Sequence, residues 1–334
     1  MKDIFDSCQL GNLKLNSRII RTGLWESEYT DNGRLTNDIY TRYENIAKSG
    51  VGLITTELIG MYPKDVFTKY THNIYSLDFN YDFNRLTALV HKYNVPILAQ
   101  LGFVNFNSGI DMNIDVNNLT HEDIRKIQTD IIIYAKKLAF AGFDGIQLAL
   151  GNNFFLSKFI NPYFNQRCDD YGGDTFNRMR IILETIKVIK DNFDLHINCR
   201  INAYDGRKGG TDKNESMRMC QLLEEYNADS LQITKPLSPT YFTKEQVSND
   251  LIDYCQKLSK NMDIPVIIGG GFNDKNQINN ILNSYDVDYI SMYRPFVAQH
   301  DFLSEWKDNK NIISRCKMCN NCYRQKTSTC YHFS

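Results

Sequence analysis

Eight short runs rich in β-branched residues recur along the chain: 18–22, 52–56, 96–100, 145–149, 196–200, 230–234, 265–269 and 288–292. They read as continuous runs rather than strict alternations, which is the pattern of parallel strands covered on both faces. Helical periodicity fills the stretches between them. After Thr120, Ile124, Ile127, Ile131, Tyr134 and Leu138 form one apolar stripe, Thr120 and Asp123 form a capping box, and Gly142 supplies a stop. After Asp174, a second stripe consists of Phe176, Met179, Leu183, Ile186 and Ile189.

Eight strands, each followed by a helix, predict an α/β chain folded as a (β/α)₈ TIM barrel, with its site at the C-terminal ends of the strands. A doubly wound sheet with an added subdomain is the alternative. At 334 residues the chain is long enough for one such barrel or for two small domains. No proline- or serine-rich linker or low-complexity tract divides it, so the barrel is expected over 1–310 with a short cysteine-rich tail over 311–334.

Charge narrows the partners. Lys plus Arg number 38 against Asp plus Glu 39, for a formal charge of −1 and a pI near 6.6. That balance removes the electrostatic basis for nucleic-acid binding. Hydrophobic content is 42%, no apolar run reaches the length of a membrane span, and the first residues are not a signal peptide. The expectation is a soluble cytoplasmic protein.

Candidate chemistry gathers at the strand ends. The seventh strand runs into Gly269, Gly270 and Gly271, and the eighth into Arg294. In this fold these two loops commonly bind phosphate through backbone amides and a nearby cation. Gln100 closes the third strand and Arg200 the fifth. An amide with paired donor and acceptor beside a guanidinium suits a polar heterocycle that gains electrons. Each of these residues, alone, is as readily a turn, a surface ion pair or a structural hydrogen-bonder.

Five of nine cysteines, Cys8, Cys168, Cys199, Cys220 and Cys255, lie in periodic segments and read as small buried apolar groups. Cys316, Cys319, Cys322 and Cys330 crowd into the tail. In a reducing compartment that crowding favours a metal over disulfides. The spacing suits a [4Fe–4S] cluster or a Cys₄ zinc site without separating them, and free thiols remain a third reading.

The stretch Ala141-Gly-Phe-Asp-Gly-Ile146, followed by Asn165, Arg167, Asp169, Tyr171-Gly-Gly173 and Asn177-Arg178, resembles the central signature of the old yellow enzyme family of FMN-dependent oxidoreductases. The resemblance extends through Leu15–Arg21, Gly50–Ile54, Gln100-Leu101, the triple glycine and Arg294. It implies a (β/α)₈ barrel that passes hydride from NAD(P)H through FMN to an acceptor. It assigns Gln100 and Arg200 to the flavin pyrimidine edge, Thr22 and Gly23 to the isoalloxazine, and Gly270, Gly271 and Arg294 to the phosphate. The Cys-x-x-Cys-Asn-x-Cys pattern is similar to the iron–sulfur motif of one branch of that family.

The chain also departs from the pattern. Where the family holds a substrate carbonyl with a His pair or a His and an Asn, this chain has Ala149 and Asn152, and where many members carry a proton-donating Tyr it has Phe154. The His-bearing segment after the third strand is degraded to Gln100–Phe106, and Trp25 and Glu26 stand at the rim of the first strand. Asn152, Lys235 and Tyr29 are the remaining candidate catalytic groups, with Glu57 as another rim residue. The expectation is an oxidoreductase with an altered substrate site, served by a small-molecule acceptor and NAD(P)H or a redox partner protein. A homo-oligomer is compatible with this. The alternative is a flavin-binding protein with little turnover that acts through a protein partner.

Overall fold

The computed structural model describes residues 1–23, 34–62, 74–103, 115–152, 154–235, 248–324 and 329–333. It opens with a hairpin of β1 (Cys8–Leu10) and β2 (Leu13–Leu15). The barrel strands follow as β3 (Ile19–Arg21), β4 (Leu53–Gly60), β5 (Ile97–Gly102), β6 (Gly145–Leu150), β7 (His196–Asn202), β8 (Ser230–Thr234), β9 (Val266–Gly269) and β10 (Tyr289–Met292). All eight pair in parallel and close on themselves, with β10 beside β3. The eight expected runs are these eight strands. The alternative of an open doubly wound sheet is thereby corrected, because closure leaves no sheet edge.

The helices cover the barrel: α1 (Asn37–Lys48), α2 (Phe79–His91), α3 (His121–Phe140), α4 (Phe155–Ile160), α5 (Thr175–Asn192), α6 (Lys213–Glu225), α7 (Asn249–Ser259), α8 (Lys275–Ser284), α9 (Arg294–Ala298) and α10 (Phe302–Lys307). In α3 the capping box forms on both sides, Thr120 Oγ1 accepting from Asp123 N and Asp123 from Thr120 N, and all five stripe residues are buried. Asp174 caps α5, where Met179, Leu183, Ile186 and Ile189 are buried and Phe176 is half-buried. The main core fills the layer between strands and helices.

The barrel interior is two-faced. On one side Ile20, Leu53, Leu98, Ile267 and Tyr289 pack against the hairpin leucines Leu10, Leu13 and Leu15, which close the N-terminal end. The other side carries Gln147, His196, Asn198, Ser230 and Gln232, all buried. The hairpin was not foreseen, since three-residue strands give too short a pattern to read. Its turn needs Gly11: the residue has φ +54°, and a Cβ there would meet Asp229 O and His196 Cε1 at 3.0 Å.

Candidate functional site at the barrel mouth

Four of the sequence-derived residues meet where the strands end. Thr22 and Gly23 follow β3, with Thr22 N bonded to Met292 O at 3.0 Å. Gly23 lies so close to β4 that a Cβ would stand 1.7 Å from Thr56 O and 3.3 Å from Gln100 Oε1, so the backbone itself forms this wall. Arg200 reaches across from β7 and donates to Gly23 O at 3.0 Å. Gln100 donates through Nε2 to Gln147 Oε1 at 2.7 Å, and Gln232 donates to Thr22 Oγ1 at 2.9 Å. Gln147 and Gln232 therefore belong to the same site. They were missed because apolar neighbours hid them, although the alternating polar positions in Ser230–Thr234 mark an inward polar face.

On the adjoining rim, β9 ends at Gly269, after which Gly270 is exposed and Gly271 buried. A side chain at 269 would press on Thr234 Cγ2 at 2.7 Å. Arg294 begins α9 and is buried, and its guanidinium donates to Asn320 Oδ1 of the tail. The expected phosphate cation is thus steered by the cysteine-rich segment.

That segment folds back on the barrel. Ile313 bridges to Asp274, Lys275 N donates to Ile312 O and Ser314 N to Asn273 O, both at 2.8 Å. Cys316 and Met318 pack on Ala298, with Cys330 against them. Met318 and Asn320 hold positive φ, 54° and 62°. Burial pushes the Cys316 thiol up, and burial pushes Cys322 up to about 12, opposed by the charge of Arg294. Cys319 and Cys330 lie near enough to add to the upward push on Cys316 and Cys322. Even so, no three His, Cys, Asp or Glu side chains converge as a ligand set among the described residues.

The remaining candidates divide. Asn152 follows β6 with φ +62°, and its Oδ1 is buried without a hydrogen-bond partner among the described residues. Ala149 is buried on the same strand, its Cβ 3.1 Å from where a Cβ on Gly102 would sit. Phe154 caps α4 at the same rim, and Lys235, half-buried, follows β8. Tyr29, Trp25 and Glu26 lie outside the described residues, as do residues 104–106. Glu57 corrects an expectation: β4 runs on to Gly60 with a register shift between Thr55 and Leu58, so Glu57 is buried within the strand rather than solvated at the rim. Among the five cysteines read as buried, Cys199, Cys220 and Cys255 are so, while Cys8 is half-buried and Cys168 exposed in the loop before α5.

The most specific part of the sequence signature turns out to brace this loop. Arg167 donates to Val116 O and Leu119 O at 2.9 and 2.7 Å and pairs with Asp169, holding that carboxyl down to about 2. Asn165 bonds Phe159 O and Tyr171 O, and Arg178 bonds Ile160 O and Glu215. Gly172 passes 2.2 Å, measured to its missing Cβ, from Arg167 O.

Residues 105–312 match the NADH:flavin oxidoreductase / NADH oxidase family. The chain is 24% identical over 343 residues to the NADH oxidase of Thermoanaerobacter brockii, covering 95% of this chain and 53% of that protein. It is 25% identical over 331 residues to the NADPH dehydrogenase of Clostridium acetobutylicum, covering 92% and 96%. The solved old yellow enzyme homologue of Zymomonas mobilis superposes with a TM-score of 0.80 at 19% identity, covering 96% of each chain, which speaks to the fold. Against several relatives, then, the chain spans only about half their length. With a profile match over more than half its residues, on a closed eight-stranded barrel, this chain belongs to the NADH:flavin oxidoreductase / NADH oxidase family.

Proposed function

We propose that this barrel binds FMN at its mouth and serves as an NAD(P)H-linked flavin oxidoreductase. One observation carries the reading: Thr22, Gly23, Gln100 and Arg200 converge on one wall of the mouth, while Gly270, Gly271 and Arg294 stand on the adjoining rim. The donor set suits the group. Gln100 offers an acceptor and a donor to a pyrimidine edge, and Arg200 supplies positive charge where a reduced heterocycle is anionic. The exposed glycine turn at Gly270, on the same rim as the Arg294 cation, suits phosphate, with Gly270 N bonded to Ser291 O at 3.4 Å. FMN, when bound, would accept hydride from NAD(P)H and pass the electron pair to an acceptor. The chain's own residues would bind, orient and neutralise charge, with Asn152, just past β6, the remaining side-chain amide toward the acceptor.

Titration of apo-protein with FMN, followed by flavin fluorescence, tests this. Saturable binding is expected. Arg294→Ala should weaken it by roughly 1.5–3 kcal/mol, about ten- to hundredfold, while affecting riboflavin little. Folded protein that ignores FMN would refute the reading.

A second reading is favoured by Ala149 and Phe154, which offer an acceptor neither a carbonyl donor nor a proton. In it the chain binds flavin with little turnover and acts through a protein partner. Anaerobic reduction followed by addition of acceptors separates the two, since only the enzyme reoxidises with them. On the tail, a [4Fe–4S] cluster or a zinc ion at Cys316, Cys319, Cys322 and Cys330 is supported by the closeness of the thiols, and would require them to draw further together. Metal and acid-labile sulfide analysis of anaerobically prepared protein should find iron with sulfide, or near-stoichiometric zinc. Free thiols suit a reducing compartment, and no helix among the described residues is long and apolar enough to cross a membrane. A cytoplasmic setting fits both.

A further inference from the structure

The polar half of the barrel interior is one connected chain of hydrogen bonds. Gln100, Gln147, Asn198 and Ser230 are register partners on β5, β6, β7 and β8. Because barrel strands tilt, stepping across register partners also descends from the mouth toward the floor. Gln100 Nε2 donates to Gln147 Oε1 at 2.7 Å, and Gln147 Nε2 to Asn198 Oδ1 at 2.6 Å. Asn198 Nδ2 donates to Ser230 Oγ at 2.7 Å, and Ser230 Oγ meets His196 Nε2 at 2.7 Å. At the floor, His196 Nδ1 meets Asn12 Oδ1 of the hairpin turn at 2.8 Å. A branch runs from Gln147 Nε2 to Gln232 Oε1 at 2.9 Å, and from Gln232 Nε2 to Thr22 Oγ1 at 2.9 Å.

Each amide has one donating and one accepting end, so the chain has a direction. Gln147 spends both N–H groups and its oxygen within it. Turning that side chain alone would set donor against donor and acceptor against acceptor at three contacts. With the Ser230 hydroxyl donating within the chain, two arrangements are self-consistent. In the one that matches the amide orientations of the structure, Nδ1 of His196 would carry the proton and give it to Asn12, Nε2 would accept from Ser230, and Gln100, Gln147 and Asn198 donate away from the mouth while Gln232 donates back to Thr22. This leaves Gln100 Oε1, beside Gly23, as an acceptor at the mouth. In the reverse arrangement Nε2 carries the proton and every amide turns. Burial holds the imidazole neutral, pushed down to about 4, so one nitrogen must accept.

We propose that His196 is a positioning residue for the flavin: its tautomer, selected by Asn12 at the barrel floor, fixes through this amide chain which ends of Gln100 and Thr22 meet the cofactor. The proposal rests on the flavin reading above.

Nitrogen NMR of histidine-labelled apo-protein reads the tautomer directly, without flavin. A protonated Nδ1 and bare Nε2 on His196 are expected, unchanged in Asn12→Asp, which keeps an acceptor. Ser230→Ala cuts the chain between His196 and Asn198. With circular dichroism confirming the fold, it should raise the dissociation constants of FMN and riboflavin by the same five- to tenfold factor and shift the midpoint potential of bound FMN. Asn12→Leu, at an exposed site, should do the same more weakly, which keeps the test alive if Ser230→Ala fails to fold. A bare Nδ1 in the native protein would overturn the proposal, as would Ser230→Ala or Asn12→Leu protein with native flavin affinity and potential. Native protein that binds neither flavin would overturn the flavin reading itself, and this inference with it.

Discussion

A buried imidazole is a stability element with a calculable sign. His196 is fully buried, and burial depresses it to about 4 from an unfolded value near 6.5; His300 is shifted the same way, by burial and by the charges of Arg42 and Arg21. Between those pH values the unfolded chain binds protons that the folded chain refuses. Stability is therefore present above about 6.5 and lost as pH falls toward 4, by up to about 3 kcal/mol for His196 alone. Urea midpoints measured from pH 7 to 4 should fall accordingly, and His196→Asn should flatten part of that slope. Asp169, held down by Arg167, adds stability that is present above about 3.8 and lost only as pH falls from there toward 2. Also at this scale, Ala149→His with Phe154→Tyr should raise enone reduction by more than either change alone, because polarising a carbonyl and protonating the alkene act on one transition state. Stopped-flow reoxidation by cyclohexenone checks it, and rapid turnover by unmodified protein would point to another donor, with Lys235 first. Gln100, Arg200 and Ala149 were legible singly because each closes one of the runs read from sequence (96–100, 196–200 and 145–149), although β5, β6 and β7 run on past them. The partners Gln147, Asn198 and Gln232 were not, since their meaning lies in register across four strands.

Elements were read best where local chemistry repeats their period. The helix α3 has its cap, stripe and stop written in consecutive residues, and all three are realised. Thr120→Ala removes the Oγ1 acceptor for Asp123 N and should cost about 1 kcal/mol, lowering the melting temperature by about 1–2 °C in a protein of this length. A calorimetric scan reads that shift, and no change would mean the cap is redundant with packing. The loop from Asn165 to Arg178 carries the most distinctive sequence, and its arginines spend themselves on backbone carbonyls and on Asp169 and Glu215. A strong signature here marks scaffold rather than chemistry. Conversely, the extension of β4 that buries Glu57 depends on its pairing with β5, which no window of sequence around Glu57 contains.

At the level of the molecule, parallel strands and covering helices dictate a closed barrel, and closure brings the ends of β3, β5, β7, β9 and β10 to one mouth. The tail is drawn into that architecture through Asn320 and Arg294, so in the proposed flavin site the placement of the cysteine segment and the grip on the phosphate would be linked. Asn320→Ala should weaken FMN binding severalfold by loosening the guanidinium, while leaving riboflavin affinity unchanged. The proposed flavin at the mouth underlies both of these expectations. The most direct test is the visible absorption spectrum of purified protein before and after reconstitution with FMN. Paired flavin bands that shift on binding and persist through desalting are predicted; folded protein that returns a colourless spectrum after reconstitution would contradict it.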